Sequence, residues 1–337
     1  MKVCAGVIVA LVGLAACGAL PQTSPQTSPR AIARGAMLVT VAGTGAVEHP
    51  DRTASWMSPA AAKAKALLYV SDAGTFDVKV YRYPSLALAG TITGFYRPQG
   101  ECSDERGNVW ITNTESSEIL EFAHGATTPI RILLDPTGNP VGCAIDAKSG
   151  DLAVTNIFDF SGPGELLVYR RARGTPAAYS NPNARSLYFD AYDDKGNLFV
   201  SGATSKGAYL LCVLPRGGKS MSLVSVDGAT IHVPGTVNAI GSTLVLGDQK
   251  CKNKKSSCLY RATLSDGTAR ITGTIALQDA CDVAQAWIGG KHVAAGDYEY
   301  CRSRKSSVDL WRYPAGGVPV KRVSGLETPV GVTLSEK

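Results

Sequence analysis

Residues 98–122 read Pro98-Gln-Gly100, then Asp104-Glu-Arg-Gly107-Asn108, then Val109-Trp-Ile-Thr-Asn113, and after a short polar gap Ile119-Leu-Glu-Phe122. Short apolar runs separated by Gly-containing turns specify antiparallel strands, because glycine supplies the positive φ that a tight turn needs. Versions of this phrase recur along the chain. The second strand of each copy ends at Asp72, Asn113, Asn156, Gly202, Gly247 and Gly296, and successive ends lie 41, 43, 46, 45 and 49 residues apart. Self-similarity at 40–50 residues marks an array of units, each too small to bury its apolar faces alone.

The other strands repeat with it. Third strands are expected at Val78–Tyr81, Ile119–Phe122, Leu166–Tyr169, Tyr209–Cys212, Cys258–Tyr260 and Val308–Trp311. Fourth strands are expected at Leu88–Ile92, Ile130–Leu134, Met221–Val226, Ile271–Ile275 and Val320–Val323. The tail, Pro329-Val-Gly331-Val-Thr-Leu334, repeats the openings Pro98-Gln-Gly100 and Pro140-Val-Gly142, whereas the first unit, from Leu67, has no opening strand. A C-terminal strand that completes the first blade would close the array and leave no long sheet edge exposed. The expectation is an all-β, six-bladed β-propeller of four-stranded blades over residues 67–337.

The residues before it carry an address. Lys2 precedes the apolar run Val3–Leu14, and Leu14-Ala15-Ala16-Cys17 follows. That run is too short for a comfortable membrane span and reads as an export signal. The Leu-Ala-Ala-Cys ending resembles a bacterial lipobox, which makes residues 1–16 a signal peptide and Cys17 the lipid attachment site, with acyl chains anchoring the protein to a membrane. Residues 17–66 are a linker and N-terminal extension, opening with the Pro/Ser/Thr-rich spacer Pro21–Pro29, which cannot build a core. A stray strand at Ala36–Val41 and a short helix near Ala60–Ala66 are expected within it. A net charge of +6 over 337 residues is too dilute for a nucleic-acid-binding face.

The motif Pro-x-Gly-x-x-x-Asp-x-x-Gly-Asn-apolar-aromatic-x-x-Asn at 98–113 resembles NHL repeats and the six-bladed propellers of the gluconolactonase and senescence-marker type. That family includes lactonases, lyases and plain binding modules, so the resemblance implies a fold more than an activity. Its lactonases hold a channel Ca²⁺ with a Glu, two Asn and an Asp from different blades, which implies Glu101, Asn113, Asn156 and Asp190 here.

In such a propeller the start of each first strand and the end of each second strand meet around the channel mouth. This places Asp72, Glu101, Asn113, Asn156, Asp190 and Asp282 there as candidate binding residues, oxygen donors that suit a hard cation. The alternative is that Asp72, Asn113 and Asn156 cap strand ends by bonding local backbone. His49, His124, His232 and His292 form no catalytic set, and nucleophile-elbow and zinc-protease motifs are absent. In an exported body the default for cysteine is the disulfide. Cys251–Cys258 would staple a hairpin and Cys281–Cys301 is the next pair, leaving Cys102, Cys143 and Cys212 with at least one free, buried thiol. Lys250, Lys252, Lys254 and Lys255 crowd one mouth loop, and Arg302, Arg304 and Lys305 the next.

The functional expectation is a lipid-anchored, extracytoplasmic binding or scaffolding module, monomeric, whose ligand is a protein, glycan or small molecule. The alternative is a Ca²⁺-dependent lactonase-like hydrolase at the channel mouth.

Overall fold

The computed structural model describes residues 54–159, 163–251, 256–298 and 305–337. In chain order the first sheet holds β1 (Trp56–Met57), β2 (Ala66–Asp72), β3 (Asp77–Arg82) and β4 (Ala87–Thr93), and the second β5 (Pro98–Ser103), β6 (Val109–Asn113), β7 (Glu118–Phe122) and β8 (Pro129–Leu134). Next come β9 (Gly138–Ile145), β10 (Leu152–Asp159), β11 (Leu166–Tyr169) and β12 (Ala177–Tyr179), then β13 (Ser186–Tyr192), β14 (Leu198–Ala203), β15 (Tyr209–Leu214) and β16 (Ser222–Asp227). The chain continues through β17 (Pro234–Ile240), β18 (Thr243–Lys250), β19 (Ser256–Ser265) and β20 (Thr268–Leu277), and ends with β21 (Ala286–Gly289), β22 (His292–Asp297), β23 (Ser306–Arg312), β24 (Gly316–Leu326) and β25 (Pro329–Glu336).

Within each group consecutive strands pair antiparallel, as in the blades of a β-propeller, except that β1 pairs with β4 and β25 leaves its group. The last strand does not stay with its neighbours in sequence. β25 pairs with β2, from Ala66↔Glu336 to Asp72↔Pro329, giving the first sheet the order β1-β4-β3-β2-β25. The edge strands of the last three groups also meet, β16 with β20 and β20 with β24, through short parallel pairings.

The fold departs from expectation at two places. Trp56 and Met57, assigned to the N-terminal extension, add to the edge of β4, and Ala61–Lys63 form a single 3-10 turn in place of the helix expected near Ala60–Ala66. β12 had no predicted counterpart; its sequence, Ala-Ala-Tyr, carries little strand signal. The strand suggested at Ala36–Val41 and the lipobox lie outside the described residues. Among the described residues no helix is long and apolar enough to cross a membrane.

Apolar side chains fill the gaps between neighbouring sheets. Leu67, Tyr69 and Val80 meet Val109, Ile111 and Phe122 between the first two sheets. Cys102, Trp110 and Ile119 meet Leu152, Val154 and Tyr169 between the next two. A sheet covered on both faces needs apolar residues without alternation, so Leu67–Val70 are all fully buried. The opening strands crowd still closer. A Cβ on Gly100, Gly142 or Gly331 would strike the carbonyl oxygen of Val141, Tyr188 or Gln99, respectively, on the next opening strand. Close backbone approach is therefore the physical content of the Pro-x-Gly motif.

Candidate functional site

The residues at the ends of the second strands work as caps. Asp72 Oδ1 accepts from the backbone N–H of Thr328 at 2.7 Å and Gly74 at 3.1 Å, and Oδ2 from that of Glu327 at 2.8 Å. Asn113 Oδ1 accepts from Tyr96 N–H at 2.5 Å, and its amide donates to Glu118. Asn156 donates to Asp135 and Thr137, and Asp135 in turn accepts from the N–H groups of Thr137 and Gly138. Asp248 and Asp297 do the same for Val233 and for Cys281 and Asp282. Each cap fixes the loop that enters its own opening strand, satisfying N–H groups that would otherwise be buried without partners.

The channel mouth itself is apolar. Val141, Ile157, Tyr188, Phe189, Ala284 and Val330 surround a recess of about 20 Å³, room for about one water. Gln99 and Gln249 supply its amides, and Tyr298 donates to Gln249 Oε1 at 2.7 Å. None of the predicted oxygen ligands lines it.

Glu101 and Asp190 lie deeper, in the packed interior. Glu101 is 1% exposed, its Oε1 accepts from Ser71 Oγ at 2.7 Å, and its Oε2 has no hydrogen-bond partner. Burial holds its pKa well above the usual carboxylate range, against the opposing pull of Ser71 and a Thr333 backbone bond. Neither Asp190 carboxyl oxygen accepts a hydrogen bond from another residue, and burial pushes its pKa up to about 8, against a smaller opposing pull from its own backbone N–H. Glu101, Asn113 and Asn156 each bond different neighbours outside the set, and Asp190 bonds none of the other three. Among the described residues no cluster of three His, Cys, Asp or Glu suits a metal.

Asp282 and Lys250 also leave the predicted surface. They are both buried and pair at 2.6 Å, so Lys250 is not part of an exposed basic loop. Lys252, Lys254, Lys255, Arg302 and Arg304 lie outside the described residues. His232 Nδ1 sits 3.0 Å from Asp248 Oδ2, beside backbone bonds to the same carboxylate. Its role there is that of a further member of the cap.

Cys251 and Cys258 are bridged, as the hairpin geometry predicts. Cys281 is buried, and Cys301 lies outside the described residues. Cys102 and Cys143 form a second bridge, between the β5–β8 and β9–β12 sheets, and Cys212 is a free, buried thiol. The Cys102–Cys143 pair escapes sequence reading because its strands are neighbours only across sheets. The bridge closes a separation of 41 residues. Chain entropy then assigns it about 4 kcal/mol. Cys143→Ser is expected to lower the melting temperature by several degrees in non-reducing buffer, read by calorimetry, and an unchanged midpoint contradicts the structural role.

The sequence matches no protein family and no curated protein. Solved structures do match. One is a nidogen/laminin complex, 12% identical, with a TM-score of 0.63 over 80% of this chain and 98% of that one. A second is a protein of unknown function from Bacteroides caccae, 11% identical, TM-score 0.59, over 81% of this chain and 100% of that one. A third is a functionally unknown protein from Desulfotomaculum acetoxidans, 12% identical, TM-score 0.54, over 80% of this chain and 99% of that one. The fold is a β-propeller. At such identities the likeness carries the architecture alone.

A second, wider recess is at the other end of the strands. It lies between the β5–β8 and β9–β12 sheets, over the turns Asp104–Asn108 and Asp146–Gly150, and has a volume of about 620 Å³. That is in the range of a small-molecule site. Trp110 and Ile145 form its apolar part, with Arg131 stacked 5.7 Å from the Trp110 ring and donating to Ala172 O at 2.8 Å. Glu121 is buried beside Arg131 at 3.5 Å; burial raises its pKa, and Arg131 opposes the rise. Arg170, Arg171 and Arg173 form the rim. Sequence reading missed this site because Arg170, Arg171 and Arg173 come from a connection, not from a repeat motif.

Proposed function

We propose that this chain is a lipid-anchored, extracytoplasmic binding or scaffolding module. In this reading the propeller has six blades of the NHL kind, and the C-terminal strand completes the first of them. Contacts that run from β25 to β5, β9, β13, β17, β21 and back to β25 support the blade count. The two disulfides are weakly consistent with an oxidising compartment outside the cytoplasm. Cys17 is the attachment point for the anchor.

The observation that carries the binding role is the contrast between the two ends of the propeller. The channel mouth, where a hydrolase of the lactonase kind would place its metal and substrate, is packed with Val141, Tyr188, Phe189 and Val330 around room for a single water. Polar side chains near it are committed to capping loops. The wide, charged recess is at the opposite end, and the Ser149 hydroxyl in it donates to Asp146, a carboxylate that closes its own turn through Lys148 N–H.

Two measurements test this. Metabolic labelling with a radioactive fatty acid is expected to mark the full chain and to leave Cys17→Ala unlabelled; a labelled variant removes the anchor. A screen of aliphatic and sugar lactones is expected to show no hydrolysis above buffer. Turnover that disappears in Glu101→Gln would establish the hydrolase instead.

A further inference from the structure

We infer that the recess between the β5–β8 and β9–β12 sheets is a binding site for an acidic saccharide, a sugar chain bearing carboxylate or sulfate groups. The proposal rests on the binding-module reading above and names the ligand class of its site.

The charges of the recess divide into those already committed and those still available. Six cations and four acids line it. Arg131 is committed to Glu121, Trp110 and Ala172 O, and the Lys148 ammonium donates to Asp194 O. Asp104 accepts from Arg106 N–H at 2.9 Å and from Asn108 N–H at 2.8 Å, which closes its own turn. Asp146 does the same through Lys148 N–H at 3.1 Å and Ser149 Oγ at 2.8 Å. Arg106, Arg170, Arg171 and Arg173 remain, all exposed, with no side-chain ion pair or hydrogen bond among the described residues.

The backbone that presents three of them is held in an unusual shape. Arg171 and Ala172 have φ of 50° and 51°, the left-handed region that non-glycine residues rarely occupy. Asp151 Oδ1 accepts Arg171 N–H at 2.7 Å, and Ala172 is buried, anchoring the turn on both sides. Such conformations cost on the order of 1–3 kcal/mol each and persist only where the surroundings impose them. Here the result is a fixed turn that carries three exposed arginines at the edge of a cavity.

Guanidinium forks recognise planar or tetrahedral oxyanions through paired N–H donors. A bare phosphate would answer the arginines but not the rest of the lining. Glu105 is exposed in the recess and, with the Asn108 amide oxygen, offers acceptors that a hydroxyl-bearing ligand can satisfy, whereas Glu121 Oε2 is sealed from solvent beside Arg131. Arginines for the acid group and carboxylate and amide oxygens for hydroxyls describe an acidic sugar. A neutral sugar would leave four arginines without a partner, and a simple polyanion would meet the repelling Glu105 carboxylate.

Calorimetric titration of the whole protein with trigalacturonate and with a sulfated galactose trisaccharide tests this, against neutral galactotriose and inorganic phosphate. The expected result is binding of at least one acidic trisaccharide, at least tenfold tighter than that of galactotriose or phosphate. Arg171→Ser/Arg173→Ser is expected to weaken it at least tenfold with an unchanged melting temperature, since both side chains are exposed. Glu105→Ala is expected to weaken the trisaccharide and not phosphate. No binding of either acidic sugar overturns the proposal, as does equal affinity for phosphate or galactotriose, or wild-type affinity in the double variant. Each of these failures leaves the binding-module reading standing, because that reading is tested separately, by the lactone screen and by melting in EDTA and Ca²⁺.

Discussion

Deletion of residues Glu327 to Lys337 is expected to abolish the cooperative melting transition. The segment contains all of β25, which pairs with β2 from Ala66↔Glu336 to Asp72↔Pro329. Val330, Val332 and Leu334 are each at most 3% exposed. Burial of three such side chains contributes roughly 6 kcal/mol. Side-chain bonds add to this. Ser103 Oγ donates to Leu334 O at 2.7 Å, Val332 N–H donates to Gln285 Oε1 at 3.1 Å, and Ser335 Oγ sits 2.7 Å from His124 Nδ1. Losing β25 also strands the Asp72 carboxylate, which loses the N–H groups of Glu327 and Thr328. The sum is comparable with the whole stability of a typical domain, about 5–15 kcal/mol. The deleted chain would further expose β2 and β5 as apolar surfaces, so aggregation should accompany the loss. Circular dichroism melting and light scattering measure both. A truncated protein that melts as sharply and as late as the parent would show that β25 is dispensable.

The second large effect concerns Asp190. Its folded-state pKa is raised to about 8 by burial, whereas in the unfolded chain an aspartate ionises near 4. Below about pH 4 both states hold the proton and the residue costs nothing. Between about pH 4 and 8 the unfolded state loses its proton while the folded state keeps it, so stability falls by about 1.4 kcal/mol per pH unit. Above about 8 the penalty levels off. Glu101, also raised by burial, adds a fall of the same sign. Asp190→Asn is expected to match the parent at pH 4, to exceed it by several kcal/mol at pH 8, and to reduce the slope between. Urea titrations at pH 4, 6 and 8 measure this. A parent protein whose stability rises steadily across that range, or a variant that parallels it, contradicts the account. Tyr192, raised by burial with Asp190 as its nearest acidic influence, titrates above this window.

Much of the architecture is legible in the sequence because a propeller blade is specified locally. Gly107, with φ of 79°, and Asn108 set the turn between β5 and β6, and the same chemistry recurs at Gly196 and Asn197, where the positive φ is 82°. The tail phrase Pro329-Val-Gly331 pointed to the partnership of β25 with β2 because it repeats an opening that the first unit lacks. The duplicated Tyr81-Arg-Tyr83-Pro84 and Trp311-Arg-Tyr313-Pro314 likewise mark equivalent positions, both with cis Tyr-Pro bonds. Asp72, Asn113 and Asn156 behave as strand-end caps, one of the two readings their positions allowed.

What sequence could not show depends on how neighbouring sheets meet. Glu101 and Asp190 were placed at the mouth because they open first strands. Glu101 directly follows Gly100 and Asp190 lies two residues beyond Tyr188, the positions of close approach between opening strands, and both are buried inside the packing. The Cys102–Cys143 bridge and the arginine-rimmed recess arise from the same inter-sheet contacts and leave no periodic trace. Lys250 read as part of a basic run, yet Asp282, 32 residues on, draws it inward.

The central claim is that this propeller is a binding module and not a calcium-dependent hydrolase. Its most direct test is the melting temperature of the purified protein in EDTA and in millimolar Ca²⁺. A cation bound only by the folded state must raise the midpoint by mass action. The account predicts the same midpoint in both buffers, for the parent and for Glu101→Gln alike. A rise of several degrees with Ca²⁺ that Glu101→Gln abolishes would contradict it.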